Sequence, residues 1–483
     1  MRAAGRSELA LLGLALALGA LGDMILRSVP LGLNATVMGA GLTIALFAVQ
    51  QGDRRGWERW ACALAAILAG FGFCWRDSLV LKWLDAFALG IAVALLASGG
   101  RSEAPSLSRY LMRTGRTSVF VLPGPLPALT EVSWSDVRSP LSWRVLFGLG
   151  RGLLLAAPVL IVFAGLLASA DVVFARGLRE LVSVDISDLI GHAAAVFALG
   201  WIAAGVLWAG FRAPQGPPLP PRPAWLALGS IEIGTLLGLV DLLFGGFVWV
   251  QLRYLFGGTA LVEGVSGLTY SQYARRGFFE LAWVTALSLP LLLLAHWLLG
   301  HARRAVRRAV LALAGIQVAL LLVMLASALE RMRAYQDQYG QTELRFYTTA
   351  FMLWLGVLLV SFLLTVLPGR RGAFAQVATV SAFGALAILH AVNPDERIVV
   401  ANRKGPRGFD LQYALTLSAD AVPALLETAP SLPPWARQEI ASRLAARWSA
   451  PEADFRTWSL ARDRARREVA RWGLGVAHVG ASR

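Results

Sequence analysis

The sequence predicts an all-α, polytopic helical membrane protein. It has about 11 transmembrane helices and a small helical C-terminal extramembrane domain. Three observations carry this prediction. Of 483 residues, 57% are hydrophobic and only 16% charged, against roughly 45–50% and 25% in an average soluble chain. The apolar residues come in long blocks, and a helix needs about 20 of them to cross a ~30 Å hydrocarbon core. Residues 393–483 break that pattern and place apolar and charged residues at helical spacing. Helices are expected in the blocks because every backbone polar group must be satisfied inside lipid.

Blocks of sufficient length fall at 8–26, 30–50, 59–75, 78–97, 145–170, 189–211, 225–255, 278–300, 309–330, 346–367 and 374–392. They divide the chain into a four-span segment (1–97), a cytoplasmic linker (98–144), a core membrane domain of about seven spans (145–392) and the tail (393–483). The first block follows Arg2 and Arg6, as a cleavable signal would, but another span follows at once, so a retained helix is expected. The linker is rich in Pro, Ser and Gly. Its basic stretch Arg109–Arg116 suits either a solvated loop or an anionic lipid surface. Pro214–Pro223 reads as a stiff extended connector.

The net charge is +15, and of the 45 basic residues only Lys82 and Lys404 are lysines. In a soluble chain that charge would suggest nucleic acid. In a membrane chain it follows from basic residues gathering in loops on one side, so no nucleic-acid partner is expected. With the N-terminus inside, the short loops carry 19 basic residues inside and 10 outside. This predicts a multi-pass membrane protein with a cytoplasmic N-terminus and an extracytoplasmic C-terminus, which in a bacterium is the topology of an inner-membrane protein. Cys62 and Cys74 lie about 18 Å apart along one helix and cannot pair there. No metal-ligand spacing and no cofactor motif are present, and neither is a P-loop, HExxH, GxSxG or GxGxxG after a strand.

Ionisable residues within spans are costly in lipid and are functional candidates by default. Lys82 and Asp85 are three apart and are expected to neutralise each other. Glu232 and Asp241 lie in a Gly-rich apolar run with Gly234, Gly238, Gly245 and Gly246. Nine residues turn a helix by about 900°, so the two carboxylates face opposite sides. At least one is expected to pair with a basic group, such as Lys82 or Arg151, or with water. His192, His296 and His390 read as hydrogen-bonded packing residues.

The densest polar constellation sits on the expected outer side. It comprises Arg253 and Tyr254; Tyr270, Tyr273, Arg275 and Glu280; Glu330, Arg331, Arg333 and Tyr335; and Tyr339, Glu343, Arg345 and Tyr347. Such residues form either an interfacial aromatic belt with Arg–Glu pairs or the mouth of a polar pocket. Charges at that depth cost least when paired across helices, so Arg275 and Glu280 are expected near Arg331 and Glu343.

In the tail, Asp420 can cap a helix with Pro423 in its first turn, and Pro433–Pro434 precedes a helix over Trp435–Trp448. Ser449 and Glu452 have capping-box spacing. Phe455, Trp458, Ala461, Ala465, Val469 and Trp472 then define one face of a helix that Gly473 ends. Arg462, Arg464, Arg466, Arg467 and Arg471 cover its other faces. Packing on its own domain is the favoured role of this helix, over docking on acidic lipid.

The stretches YSQYARRGFFEL, RMRAYQDQYGQTELRFY, NPDERIVVAN, LTLSADAVPALL and DFRTWSLARDRA occur in that order. Together they resemble the bacterial polytopic membrane family labelled domain of unknown function 4173, over roughly residues 145–470. The resemblance implies a helical membrane body and a polar C-terminal segment, and no activity.

These features predict a non-enzymatic envelope scaffold or sensor, in contact with the bilayer and with an envelope protein through its tail. The alternatives are a solute or ion transporter using buried carboxylates, and a membrane transferase acting on a lipid-linked substrate through Glu343 or Asp23.

Overall fold

The structure is a computed structural model that describes residues 4–27, 29–50, 57–98, 115, 119, 121–131, 163, 186–212, 230–256, 278–298, 304–403, 408–450 and 454–481. All regular elements among them are helical. The first group is α1 (Ala4–Leu26), α2 (Leu33–Val49), α3 (Trp57–Trp75), α4 (Leu79–Ala97), the short α5 (Leu126–Glu131) and α6 (Ile186–Arg212). The second is α7 (Ser230–Phe256), α8 (Phe278–Leu298), α9 (Arg304–Tyr339), α10 (Glu343–Ser361) and α11 (Arg371–Val392).

Eight described helices are long and apolar enough to cross a membrane: α1, α4 and α6 to α11, with α10 continued by a π turn over Phe362–Val366. α2 is apolar but has only 17 residues, and α3 carries Glu58 and Arg59 in its first turn. The block at 145–170, apart from Phe163, lies outside the described residues. The count of about 11 is therefore not established; the all-helical membrane body is.

Two apolar cores hold this body together. Leu11, Ala15 and Leu18 of α1 meet Leu46 of α2, Ala66 of α3, Leu96 of α4 and Ala203, Leu207 and Trp208 of α6. Small residues set the closest approach: a Cβ on Gly19 would collide with the Val196 carbonyl and the Gly200 backbone of α6. Lipid gives helices no hydrophobic reason to associate, so such close backbone packing supplies much of their attraction. The sequence grouped the span at 189–211 with the later helices, yet α6 packs with the first four. The second core joins Ile233 and Leu237 of α7, Leu289 and Leu292 of α8, Leu321 and Met324 of α9, Leu355 and Leu359 of α10, and Phe362. α11 spans both, with Phe374 in the second core and Phe383 against the first.

α9 has 36 residues, about 54 Å of helix, so it outreaches the hydrocarbon core. Its end and the start of α10 carry the chain to the face where the tail sits. Asn393 adopts a left-handed conformation, φ 56°, and turns α11 into the tail; Asn tolerates that region better than most residues.

The tail begins with α12 (Pro394–Asn402) and continues through α13 (Leu411–Thr416), α14 (Val422–Thr428), α15 (Pro434–Trp448) and α16 (Leu460–Ala481). Its own core contains Val422, Leu426, Ile440, Leu444, Trp448, Ala465 and Val469. Ser449 closes the C-terminus of α15 instead of opening the next helix, and Glu452 lies outside the described residues. α16 starts only at Leu460 and runs through Gly473. A lone Gly costs a helix about 1 kcal/mol, too little to end one whose inner face is packed.

Candidate functional site: a buried charge network beneath the tail

The three-residue link between α3 and α4, Arg76-Asp77-Ser78, is too short to leave the membrane surface, and the tail folds over it. Asp77 accepts from Lys82 Nζ of α4 and from the Arg462 guanidinium of α16, each at 2.7 Å. Arg76 donates from Nε to the His390 carbonyl at the end of α11, 2.9 Å away, and pairs with Asp420 at 3.1 Å. Asp420 also accepts the Asp77 backbone N–H at 2.7 Å. Ser78 and Tyr347 share a hydrogen bond at 3.2 Å. One level deeper, Asp85 and His390 Nε2 lie 2.9 Å apart, and the Trp75 indole stacks on the imidazole at 5.3 Å between centroids. Beside the network, Asp395 of α12 accepts from the backbone N–H of Ser418 at 3.2 Å and from its hydroxyl.

These groups are buried. Asp85 is 1% exposed, Asp395 0% and Asp420 4%. Arg76 faces Asp420, Lys82 and Arg462 face Asp77, and Asp85 faces His390. A buried ion pair costs several kcal/mol per ion in desolvation and needs this density of hydrogen bonds to offset it. Burial pushes the Asp77 carboxyl up, but the Lys82 ammonium and the Arg462 guanidinium outweigh it and hold the group below the usual range. Burial raises Asp420 despite the Asp77 N–H and Arg76. Burial raises Asp395 to about 6, opposed by Ser418 and reinforced by Glu343 and Asp420.

Further contacts seat the tail across the same face. Leu33 N–H at the start of α2 donates to the Trp458 carbonyl at 2.9 Å. Gly32 has no room for a Cβ against the carbonyls of Thr457 and Trp458. Asn402 and Gln341 exchange two hydrogen bonds of 2.6 and 2.8 Å. Tyr413 OH accepts the Glu343 N–H at 2.8 Å. Phe346 of α10 packs against the cluster of Ile398, Val399, Leu417 and Leu425.

The residues expected from sequence are distributed as follows. Lys82 bonds Asp77 and not Asp85, which turns to His390, so their expected mutual neutralisation is corrected. The helix carries them on one face, but each finds a partner at a different depth. Glu232 lies exposed in the first turn of α7, whereas Asp241 is buried with no partner for either oxygen among the described residues. The expectation that one of them pairs with a basic group is met by no ion pair among the described residues. Arg253 and Tyr254 fall in the last turn of α7. Tyr270, Tyr273 and Arg275 lie outside the described residues, as does Arg151. Glu280 is exposed in the first turn of α8, and the expected cluster falls in part on Tyr270, Tyr273 and Arg275, outside the described residues.

Part of that constellation does come together. Arg345 donates to Tyr335 OH and to the Tyr339 carbonyl, each at 3.1 Å, and its guanidinium lies 4.1 Å over the Tyr335 ring. The Tyr335 and Tyr339 rings lie tilted against each other, 4.9 Å between centroids. Arg345 thus closes the C-terminus of α9, where carbonyls lack intrahelical partners. Glu330 pairs with Arg333 at 2.6 Å on an exposed surface, and Arg331 lies one turn before Tyr335. Asp23 pairs with His192 at 2.6 Å.

Sequence reasoning missed Arg76, Asp77, His390, Asp395, Ser418, Asp420 and Arg462 as one site. A signal was present: NPDERIVVAN contains Asp395, LTLSADAVPALL contains Ser418 and Asp420, and DFRTWSLARDRA contains Arg462. Asp420 does not cap its helix. The helix has no side-chain cap; Ser418 caps the 3-10 turn Ala419–Ala421 before it, accepting from the Asp420 N–H, and the Asp420 carboxylate is taken by the α3–α4 link.

A family profile described as a domain of unknown function, DUF4153, matches residues 63–428. The chain belongs to the DUF4153 family. The resemblance to family 4173 is therefore corrected: the profile that matches is a different one, and its span starts at residue 63, not near 145, and stops before α15. The DUF4153 segment contains every member of the network except Arg462, which reaches in from α16. Searches among curated proteins and among solved structures return no match.

Proposed function

We propose that this DUF4153 protein is a non-enzymatic scaffold or sensor of the bacterial envelope, held in the cytoplasmic membrane with its N-terminus inside and its tail outside. The observation that supports this reading is the clamp at the α3–α4 link. Arg76 and Asp77 each bond a membrane helix and the tail at once. A load on the tail, from an envelope partner or from the bilayer surface, therefore reaches α4 and α11 through ions that cannot relax without losing buried pairs. The orientation rests on the basic-residue bias. The tail packs on the α1–α2, α3–α4 and α9–α10 connections, which that bias places outside.

Two measurements test the reading. A phosphatase fused after Arg483 is expected to be active and a cytoplasmic reporter there inactive; the reverse overturns the orientation. Hydrogen exchange after Arg462→Ala is expected to rise in the first turn of α4 and the last turn of α11 as well as in the tail. A rise confined to the tail overturns the coupling. A second reading, transport of an ion or solute, is favoured by one observation: the buried carboxylate of Asp241 in a membrane helix.

A further inference from the structure

α7 and α9 pack along their length, and their buried faces are not uniformly apolar. On α7 that face runs through Ile233, Leu237, Asp241, Val248 and Gln251; on α9 through Val310, Ala314, Gln317, Leu321, Met324 and Ser327. Gly234 lies against Val310, with a Cβ on Gly234 falling 3.9 Å from Val310 Cγ2. That contact is near the N-terminus of both helices. Two helices that touch there and stay packed along their length run parallel. At a common rise of ~1.5 Å per residue, the same offset brings Asp241 level with Gln317 and Gln251 level with Ser327, with about 15 Å between the two levels.

All four polar residues are more than nine-tenths buried: Asp241 is 7% exposed, Gln251 5%, Gln317 0% and Ser327 6%. Both Asp241 oxygens, both amide atoms of Gln251 and Gln317, and the Ser327 hydroxyl lack hydrogen-bond partners among the described residues. Buried polar groups in proteins are almost always satisfied by protein or water, and the need is sharper at membrane depth. Four such side chains at two levels of one helix seam mark a place where water enters. The opposite face of α7 carries Leu239, Leu242, Leu243 and Trp249, each more than 60% exposed. The face of α9 opposite Asp241 offers no charge, since no titratable residue occurs between Arg308 and Glu330. Glu232, the other carboxylate of α7, is exposed at the far end of that helix.

We propose that the α7–α9 seam is a hydrated polar path in which Asp241 binds and releases a proton. A single carboxylate in a membrane helix with no cationic neighbour among the described residues is cheapest when neutralised by one monovalent cation. A proton needs only the carboxyl oxygen and one water, whereas an alkali cation needs several oxygen ligands at one level. Gln317 supplies the amide that holds the water at Asp241. Gln251 and Ser327 continue the path toward the tail side. The proton leaves water for Asp241 Oδ, giving the neutral acid, and returns to water by the same route. This inference does not depend on the clamp under the tail.

The test uses full-length protein in lipid nanodiscs with Cys62 and Cys74 replaced by Ala. Ser327→Cys and, as a control on the opposite face of α7, Leu242→Cys are treated with a charged, membrane-impermeant methanethiosulfonate. Ser327→Cys is expected to react at least tenfold faster. Infrared difference spectra on pH titration are expected to show a carboxylic-acid band that Asp241→Asn removes, and sodium chloride should leave that titration in place. Equal and negligible labelling of both cysteines overturns the water path. An Asp241 band absent from the spectra at every pH overturns the proton site, as does a carboxylate band that responds to sodium and not to pH. The Asn variant keeps the shape of the side chain, and an unchanged elution profile confirms that it folds.

Discussion

Replacing Asp395 by Asn isolates a carboxyl group of the tail junction that burial raises toward neutrality with no ion-pair partner among the described residues. Asp395 is 0% exposed, accepts the N–H and the hydroxyl of Ser418, and leaves its other oxygen unpartnered. Its folded-state pKa is about 6, against roughly 3.9 in an unfolded chain. The folded state thus binds the proton more tightly. The stability this brings is fully present below about pH 4 and is lost as pH rises through about 6. The gap of about two units corresponds to at most ~3 kcal/mol at pH 8, at ~1.36 kcal/mol per unit. Asn stays neutral at every pH, its carbonyl oxygen can accept both Ser418 bonds, and its amide occupies the unpartnered side. Asp395→Asn is therefore expected to raise the unfolding temperature of the tail at pH 8 by several degrees and to leave it near the parent value at pH 4. The assay is thermal unfolding of detergent-solubilised protein between pH 4 and 8, followed by tryptophan fluorescence. Parallel pH curves for parent and variant would refute the reasoning, because the difference between them must open between pH 4 and 6.

Other perturbations follow from the same contacts. Gly72→Ala drives a Cβ into the Asp85 carboxylate and should separate Asp85 from His390, lowering stability by about 2–4 kcal/mol, as overpacking against a buried charge does; a thermal shift below 1 °C would contradict this. Arg345→Lys keeps the charge but loses the fork that joins Tyr335 to the Tyr339 carbonyl, and should cost about 1–2 kcal/mol, measurable as faster hydrogen exchange in the last turn of α9. Asp77 titrates in the opposite sense to Asp395. Its folded pKa is held below the usual range, so its stabilisation is present above about pH 4 and fades as pH falls further. Asp77→Asn should therefore narrow the stability gap to the parent at pH 3 and show its full defect at pH 7.

The membrane body was legible because lipid imposes a length and a composition that any span must meet. α9, α10 and α11 announce themselves as long apolar runs. The loop charges were legible as charges but not as partners. Asp77 and Arg462 are far apart in sequence, and at the ends of spans an Arg or Asp reads as an ordinary interfacial residue. Local spacing misled at Lys82 and Asp85, where the i, i+3 rule names a neighbour on the helix surface but cannot see the α3–α4 link or His390. It misled again at Asp420, which local spacing makes a helix cap but whose carboxylate is drawn instead to Arg76 and the Asp77 N–H. Arg462 looked like one of five solvated arginines on α16 because its helix position says nothing about what the tail lies on.

The central claim is that the tail is locked to the membrane body through the α3–α4 link, and a double-mutant cycle on Asp77 and Arg462 tests it most directly. Asp77→Ala, Arg462→Ala and the double variant are compared by the free energy of tail unfolding in the full-length protein. Asp77→Ala is expected to cost about 3–5 kcal/mol, because Lys82 and Arg462 both lose their buried partner, and Arg462→Ala about 2–3 kcal/mol, because Asp77 keeps Lys82. The double variant should cost clearly less than their sum, with a coupling of at least ~2 kcal/mol. Additivity within ~0.5 kcal/mol would mean that the two residues do not bear on each other, and would contradict the clamp.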